Sequence, residues 1–202
     1  MSSAMKFVVK FALVFGFGIG LFSVSSALRA EQVKPNTPAS VAKTIKGLVG
    51  VHDAMREITW YRNSATPKYD NTNTFYLYFG ITDDQILTPL RLKITYASDS
   101  WLFVKSVWGK ADGKKIAIPQ TSESFSGWER DNGSGKIWEW SDAPVEVADD
   151  IAALRQIAHS KEVTLRFEGQ QYYADRTLNG AQLQAVRDMI SAYELVTAKP
   201  WQ

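Results

Sequence analysis

Cysteine is absent from this 202-residue chain, and histidine occurs only twice. Without a thiol there is no disulfide, thiol nucleophile, Cys-ligated zinc or iron–sulfur cluster, and no cysteine for lipid attachment. Two histidines are too few for a His-rich metal site. No stretch reads Gly-x-Ser-x-Gly or His-Glu-x-x-His. Gly133-Ser134-Gly135-Lys136 lacks the leading glycine of a phosphate loop, because that position is Arg130, and Ile137 replaces the Ser or Thr that must follow. It reads as a turn. Ser40-Val41-Ala42-Lys43 has the S-x-x-K spacing of penicillin-binding serine enzymes, but the S-D-N and K-T-G elements are missing. No catalytic set and no cofactor are expected.

Charge of one sign is also lacking. The formal net charge of +2 includes Lys6, Lys10 and Arg29; beyond residue 30 the chain carries 20 basic and 21 acidic side chains. Binding to nucleic acid needs a basic patch. Lys105, Lys110, Lys114 and Lys115 come nearest to one, but they flank a turn and read as a solvated hairpin end. Nucleic acid is therefore not an expected partner.

Only one long apolar run is present. Lys6 and Lys10 precede twelve residues without a polar group, Phe11 to Phe22, and small residues follow at Ser23, Ser25, Ser26 and Ala27. That order of charge, apolar run and small residues is a secretory signal. Ser25 and Ala27 suit cleavage after Ala27; cleavage after Ala30 is the second site. The expected organisation is a signal peptide over residues 1–30, a linker over 31–38 with two prolines, and one globular domain over 39–202. The location is then periplasmic or secreted, with no membrane attachment after cleavage. If the segment is retained, its apolar stretch extends to about 18 residues, the lower limit for a bilayer span.

Within the domain, Val41, Ile45, Leu48, His52 and Met55 recur at helical spacing and predict a first helix weakened by Gly47 and Gly50. Ile58 to Arg62, Thr74 to Thr82, Leu90 to Tyr96, Trp101 to Trp108 and Ile116 to Ile118 favour strands. Leu90 to Tyr96 alternates strictly between apolar and polar. Asp112-Gly113 predicts a tight hairpin. Residues 120–135 read as a loop by composition, and a strand resumes at Lys136 to Trp140. A helix follows Pro144, then a hairpin over Glu162 to Ala174. Asn179 with Gln182 forms a capping box before a last helix bearing Leu183, Val186, Ile190 and Tyr193. Strands joined by short turns give an α+β fold: a twisted antiparallel meander with helices against one face.

Candidate sites are few. His52 reads as a core or boundary residue on the first helix, and His159 as a cation at a helix end. Asp83-Asp84 reads as a turn and Asp149-Asp150 as a helix start. The unusual feature is aromatic content, with seven tryptophans and eight tyrosines. On strands Trp138 and Trp140 share a face, as do Tyr76 and Tyr78. Tryptophan and tyrosine are enriched at interfaces. The candidate binding residues are Trp138, Trp140, Glu139, Trp128, Tyr76 and Tyr78, with the 120–135 loop beside them. The expected function is an exported, non-enzymatic binding domain for a protein, peptide or envelope glycan. The alternatives are a small cell-envelope hydrolase, which needs a cleft with a shifted carboxyl or histidine, and a membrane-anchored accessory subunit. Oligomeric state is not legible.

Overall fold

Alternation along the strands sorts side chains onto two faces, and the chain builds outward from there. The computed structural model describes residues 47–69, 71–119, 127–145 and 148–197. The secretory segment and the linker lie outside them, as do Ser40, Lys43 and residues 120–126. All described residues fall within one compact unit, Val33–Gln202.

Among the described residues, ten strands and two helices run in the order β1 (Leu48–Asp53), β2 (Ile58–Asn63), β3 (Thr74–Thr82), β4 (Arg91–Ser98), β5 (Ser106–Ala111), β6 (Lys114–Ala117), β7 (Glu129–Gly133), β8 (Lys136–Pro144), α1 (Ala148–His159), β9 (Val163–Glu168), β10 (Tyr173–Thr177) and α2 (Gly180–Thr197). The fold is α+β, and every strand pairing among these elements is antiparallel. The strands divide between two sheets. The first has the order β1-β2-β3-β4-β8-β7, and the second β10-β9-β5-β6.

The core forms where these elements meet. Phe75, Leu77 and Phe79 of β3 and Leu92, Ile94 and Tyr96 of β4 point inward and are buried. Each such side chain contributes about 1.5–3 kcal/mol on leaving water. Helix α2 covers β3 and its neighbours. Tyr193 meets the Phe79 ring at 5.5 Å, and the Asn63 amide donates to Asp188 at 3.0 Å. The second sheet joins the same core, where Phe167 of β9 meets Tyr96 of β4 and Trp128. Helix α2 starts at the expected capping box. The Asn179 N–H donates to the Gln182 side chain, the Gln182 N–H donates to the Asn179 side chain, and both distances are 2.9 Å.

Four sequence expectations need correction. Leu48–Asp53 is a strand, not part of a helix, since its backbone pairs with β2 and sets His52 opposite Thr59. His52 is exposed, with Nδ1 3.2 Å from the Thr59 hydroxyl, rather than lying on an apolar helix face. Glu129–Gly133 is an edge strand, not a loop; it pairs with β8 across a two-residue turn at Ser134-Gly135. Trp101 to Trp108 is not one strand, because residues 101–105 are irregular and carry the chain from the first sheet to the second. The other expected turns occur where they were placed. Asp112-Gly113 closes β5 onto β6 with positive φ at both residues, the geometry of a type I′ hairpin.

Candidate functional site

The first sheet has one face in the core and one turned away from it. Cross-strand register assigns the outward residues. Trp60 of β2 sits opposite Gly80, Tyr78 opposite Arg91, Tyr76 opposite Lys93, and Thr95 opposite Trp140, while Trp138 lies between Ala97 and Asp131. Trp60, Tyr76, Tyr78, Trp138 and Trp140 therefore share the outer face, and all five are partly buried. They span β2, β3, β4 and β8, three interstrand spacings or about 14 Å.

The rings are packed against one another and against cations. Trp60 and Tyr78 lie 5.4 Å apart, and Tyr76 and Tyr78 5.9 Å. Lys93 Nζ stands 5.9 Å from the Trp140 ring. Gly80 gives Trp60 its seat, since a Cβ there would come within 2.9 Å of the indole ring. A polar knot sits among the rings. The Tyr78 hydroxyl donates to Asp142 at 2.6 and 2.8 Å, and Arg91 Nε lies 2.9 Å from both the Tyr78 hydroxyl and Asp142. Burial pushes the Tyr78 phenol well above its ordinary pKa. Its hydrogen bond to Asp142 and that carboxylate's charge add to the rise, and Arg91 opposes it. Thr95 also faces outward yet has no exposed surface, and its hydroxyl lacks a hydrogen-bond partner among the described residues.

Of the six residues singled out from sequence, this face gathers Trp138, Trp140, Tyr76 and Tyr78. It does not gather Glu139 or Trp128. Glu139 is on β8 between the two tryptophans, so it points the other way and is fully buried. Its Oε1 accepts the N–H groups of Leu102 and Phe103 at 2.8 and 2.9 Å. Its Oε2 accepts the Val104 N–H at 2.8 Å and Arg130 Nε at 3.0 Å. The carboxylate thus pins residues 102–104, the crossover between the sheets. Phe103 adopts a positive φ of 55° there and stacks against Trp101. Trp128 is buried against Phe167 in the core. Sequence reading missed Trp60, Arg91, Lys93 and Asp142. Trp60 carried a usable signal, since on the strand Ile58 to Arg62 it faces away from Thr59 and Tyr61.

The histidines and acidic doublets take their expected local roles apart from His52. His159 ends α1, with Nδ1 2.7 Å from the Arg155 carbonyl oxygen. Asp83-Asp84 lies in a turn, and Asp149-Asp150 opens α1. One cavity of about 330 Å3 holds Glu168 and Asp175. Hydrogen bonds from Arg166 hold Asp175 below the usual carboxylate range, the opposite of the raised value that a carboxyl general acid uses. Among the described residues no three His, Asp or Glu side chains converge as a metal site, and no helix is long and apolar enough to cross a membrane.

No protein-family model matches this chain, and no similar curated protein was found. The class that the fold and site define is thus an architectural one: an α+β domain of two antiparallel sheets, with an aromatic outer sheet face.

Proposed function

We propose that this chain is an exported, non-enzymatic binding domain that docks an envelope glycan on the outer face of its first sheet. The observation that carries the reading is the layer of five rings, Trp60, Tyr76, Tyr78, Trp138 and Trp140, on a face that neither helix nor the second sheet packs against among the described elements. Flat rings offer stacking area at small entropic cost, and a polar handle sits at their centre in Tyr78, Arg91 and Asp142. Sugar rings need both. The apolar run Phe11 to Phe22 supports export.

Co-sedimentation of the full chain with purified peptidoglycan tests the docking surface. Wild-type protein is expected to pellet with the glycan, and the pair Trp138→Ala and Trp140→Ala is expected to stay in solution. Equal pelleting of both proteins would contradict the proposal. Mass spectrometry of the exported chain tests the route: a new N-terminus after Ala27 or Ala30 is expected, and one at residue 1 or 5 would count against it.

A protein or peptide ligand is the second reading. Val49 and Val51 are 41% and 51% exposed, lie on the same outer face, and belong to β1 at the end of the strand order. Strand addition at that edge would bring a peptide alongside the rings. Pelleting lost on Val51→Lys but kept after the tryptophan substitutions would favour it.

A further inference from the structure

The outer face of the second sheet carries a different arrangement. Trp108 and Lys110 of β5, Lys115 of β6, Thr164, Arg166 and Glu168 of β9 and Asp175 of β10 surround an open cavity of about 330 Å3. That volume stands at the small end of ligand pockets. Its charges do not balance. Asp175 is taken by Arg166 through two hydrogen bonds of 2.8 and 2.7 Å. Glu168 is engaged by the Ser106 hydroxyl and by the Trp108 indole N–H at 2.9 Å. Lys110 and Lys115 are left without an ion pair among the described residues. They also sit directly opposite one another across the β5–β6 hairpin.

Like charges at directly opposed positions destabilise a hairpin. Here both lysines are exposed at the rim of the cavity, and a ring compensates one of them in part: Lys115 Nζ lies 3.8 Å from the Trp108 centroid. An anion seated between the two ammonium groups would remove the repulsion and draw Lys115 from the indole. The face of the partly buried Trp108 ring that Lys115 covers, already oriented by its bond to Glu168, would then be open for stacking. Glu168, Asp175 and the Thr164 hydroxyl supply acceptors for hydroxyl groups at the same rim.

We infer that this cavity binds an acidic sugar, with its carboxylate between Lys110 and Lys115, its ring on Trp108 and its hydroxyls toward Glu168, Asp175 and Thr164. The site is separate from the aromatic face of the first sheet and does not rest on it. The test is titration of the full chain at low ionic strength with sodium glucuronate, glucose and inorganic phosphate, followed by calorimetry and tryptophan fluorescence. Saturable glucuronate binding is expected, with glucose and phosphate each at least tenfold weaker. Lys110→Ala and Lys115→Ala are each expected to weaken glucuronate at least tenfold, and Trp108→Phe to abolish the fluorescence change. Trp138→Ala with Trp140→Ala is expected to leave the titration unchanged, which separates this site from the first. Absence of saturable glucuronate binding, equal binding of phosphate, or indifference to both lysine substitutions would overturn the inference.

Discussion

Replacing Glu139 by glutamine keeps the shape of the side chain and removes half of its accepting capacity. Four donors converge on the carboxylate: three backbone N–H groups at 2.8–2.9 Å and Arg130 Nε at 3.0 Å. A glutamine offers one accepting oxygen and one amide that only donates. If the amide replaces Oε2, it faces the Val104 N–H and Arg130. If it replaces Oε1, it faces the N–H groups of Leu102 and Phe103. Either way two donors lose their acceptor. At about 1–3 kcal/mol for each, the expected loss is about 2–6 kcal/mol. A whole domain is stable by only about 5–15 kcal/mol, so this is a large fraction. Urea denaturation should show a lower midpoint at an unchanged slope, since the surface exposed on unfolding stays the same. A loss of 3 kcal/mol would lower the melting temperature by roughly 6–12 °C. Arg130→Ala leaves the three amide donors in place, and Arg130 is itself partly in solvent, so it should cost less. A loss below about 1 kcal/mol for Glu139→Gln, or a change in ligand binding with stability untouched, would refute the assignment of Glu139 as a pin at the sheet crossover.

Three further outcomes follow from the same geometry. Tyr78, whose pKa is raised by burial and then by Asp142, should stay protonated where ordinary tyrosines ionise, near pH 10. The unfolded chain then loses a proton that the native state keeps, so stability should fall as pH rises beyond that value. Phenolate absorbance checks this: Tyr78→Phe should remove a late-titrating tyrosine, and loss of an ordinary one would contradict it. Asp175 has the opposite sign. Its folded pKa is lowered by Arg166, so its contribution is present above about pH 3.9 and lost as pH falls through the folded value. The stability gap between wild type and Asp175→Asn, small because the pair is exposed, should close in acid; a gap that widens there would be inconsistent. Gly169→Ala should cost about 1–3 kcal/mol, because the new Cβ meets the Leu102 carbonyl oxygen and side chain. An unchanged urea midpoint would rule that contact out.

Local chemistry was readable in the sequence, and long-range chemistry was not. Thr74 to Thr82, the Asp112-Gly113 turn and the Asn179–Gln182 cap are set by neighbours a few residues apart, and each stands where periodicity and turn residues placed it. Leu48, His52 and Met55 share a helical spacing by coincidence; β1 is fixed by backbone pairing to β2, which side-chain spacing does not record. Glu129–Gly133 is fully exposed along its length, so its composition resembles a loop while its backbone pairs with β8. The break at residues 101–105 depends on Glu139, more than thirty residues away. For the candidate site, alternation correctly paired Trp138 with Trp140 and Tyr76 with Tyr78. The same rule sets Glu139 on the reverse face, against the expectation that grouped it with the two tryptophans as a binding residue. What it could not give was the inversion in β8, where the acid lies in the core because four donors compensate it and the tryptophans lie outside. Trp60 became part of the site only through the β2–β3 register.

The most direct test of the aromatic docking face is a nuclear magnetic resonance titration of the tryptophan indole N–H signals with soluble peptidoglycan fragments, each signal assigned by single substitution. The account predicts that the signals of Trp60, Trp138 and Trp140 move with a common saturation curve while that of buried Trp128 stays in place. Stationary signals from those three, with fragment binding detected elsewhere on the chain, would contradict it.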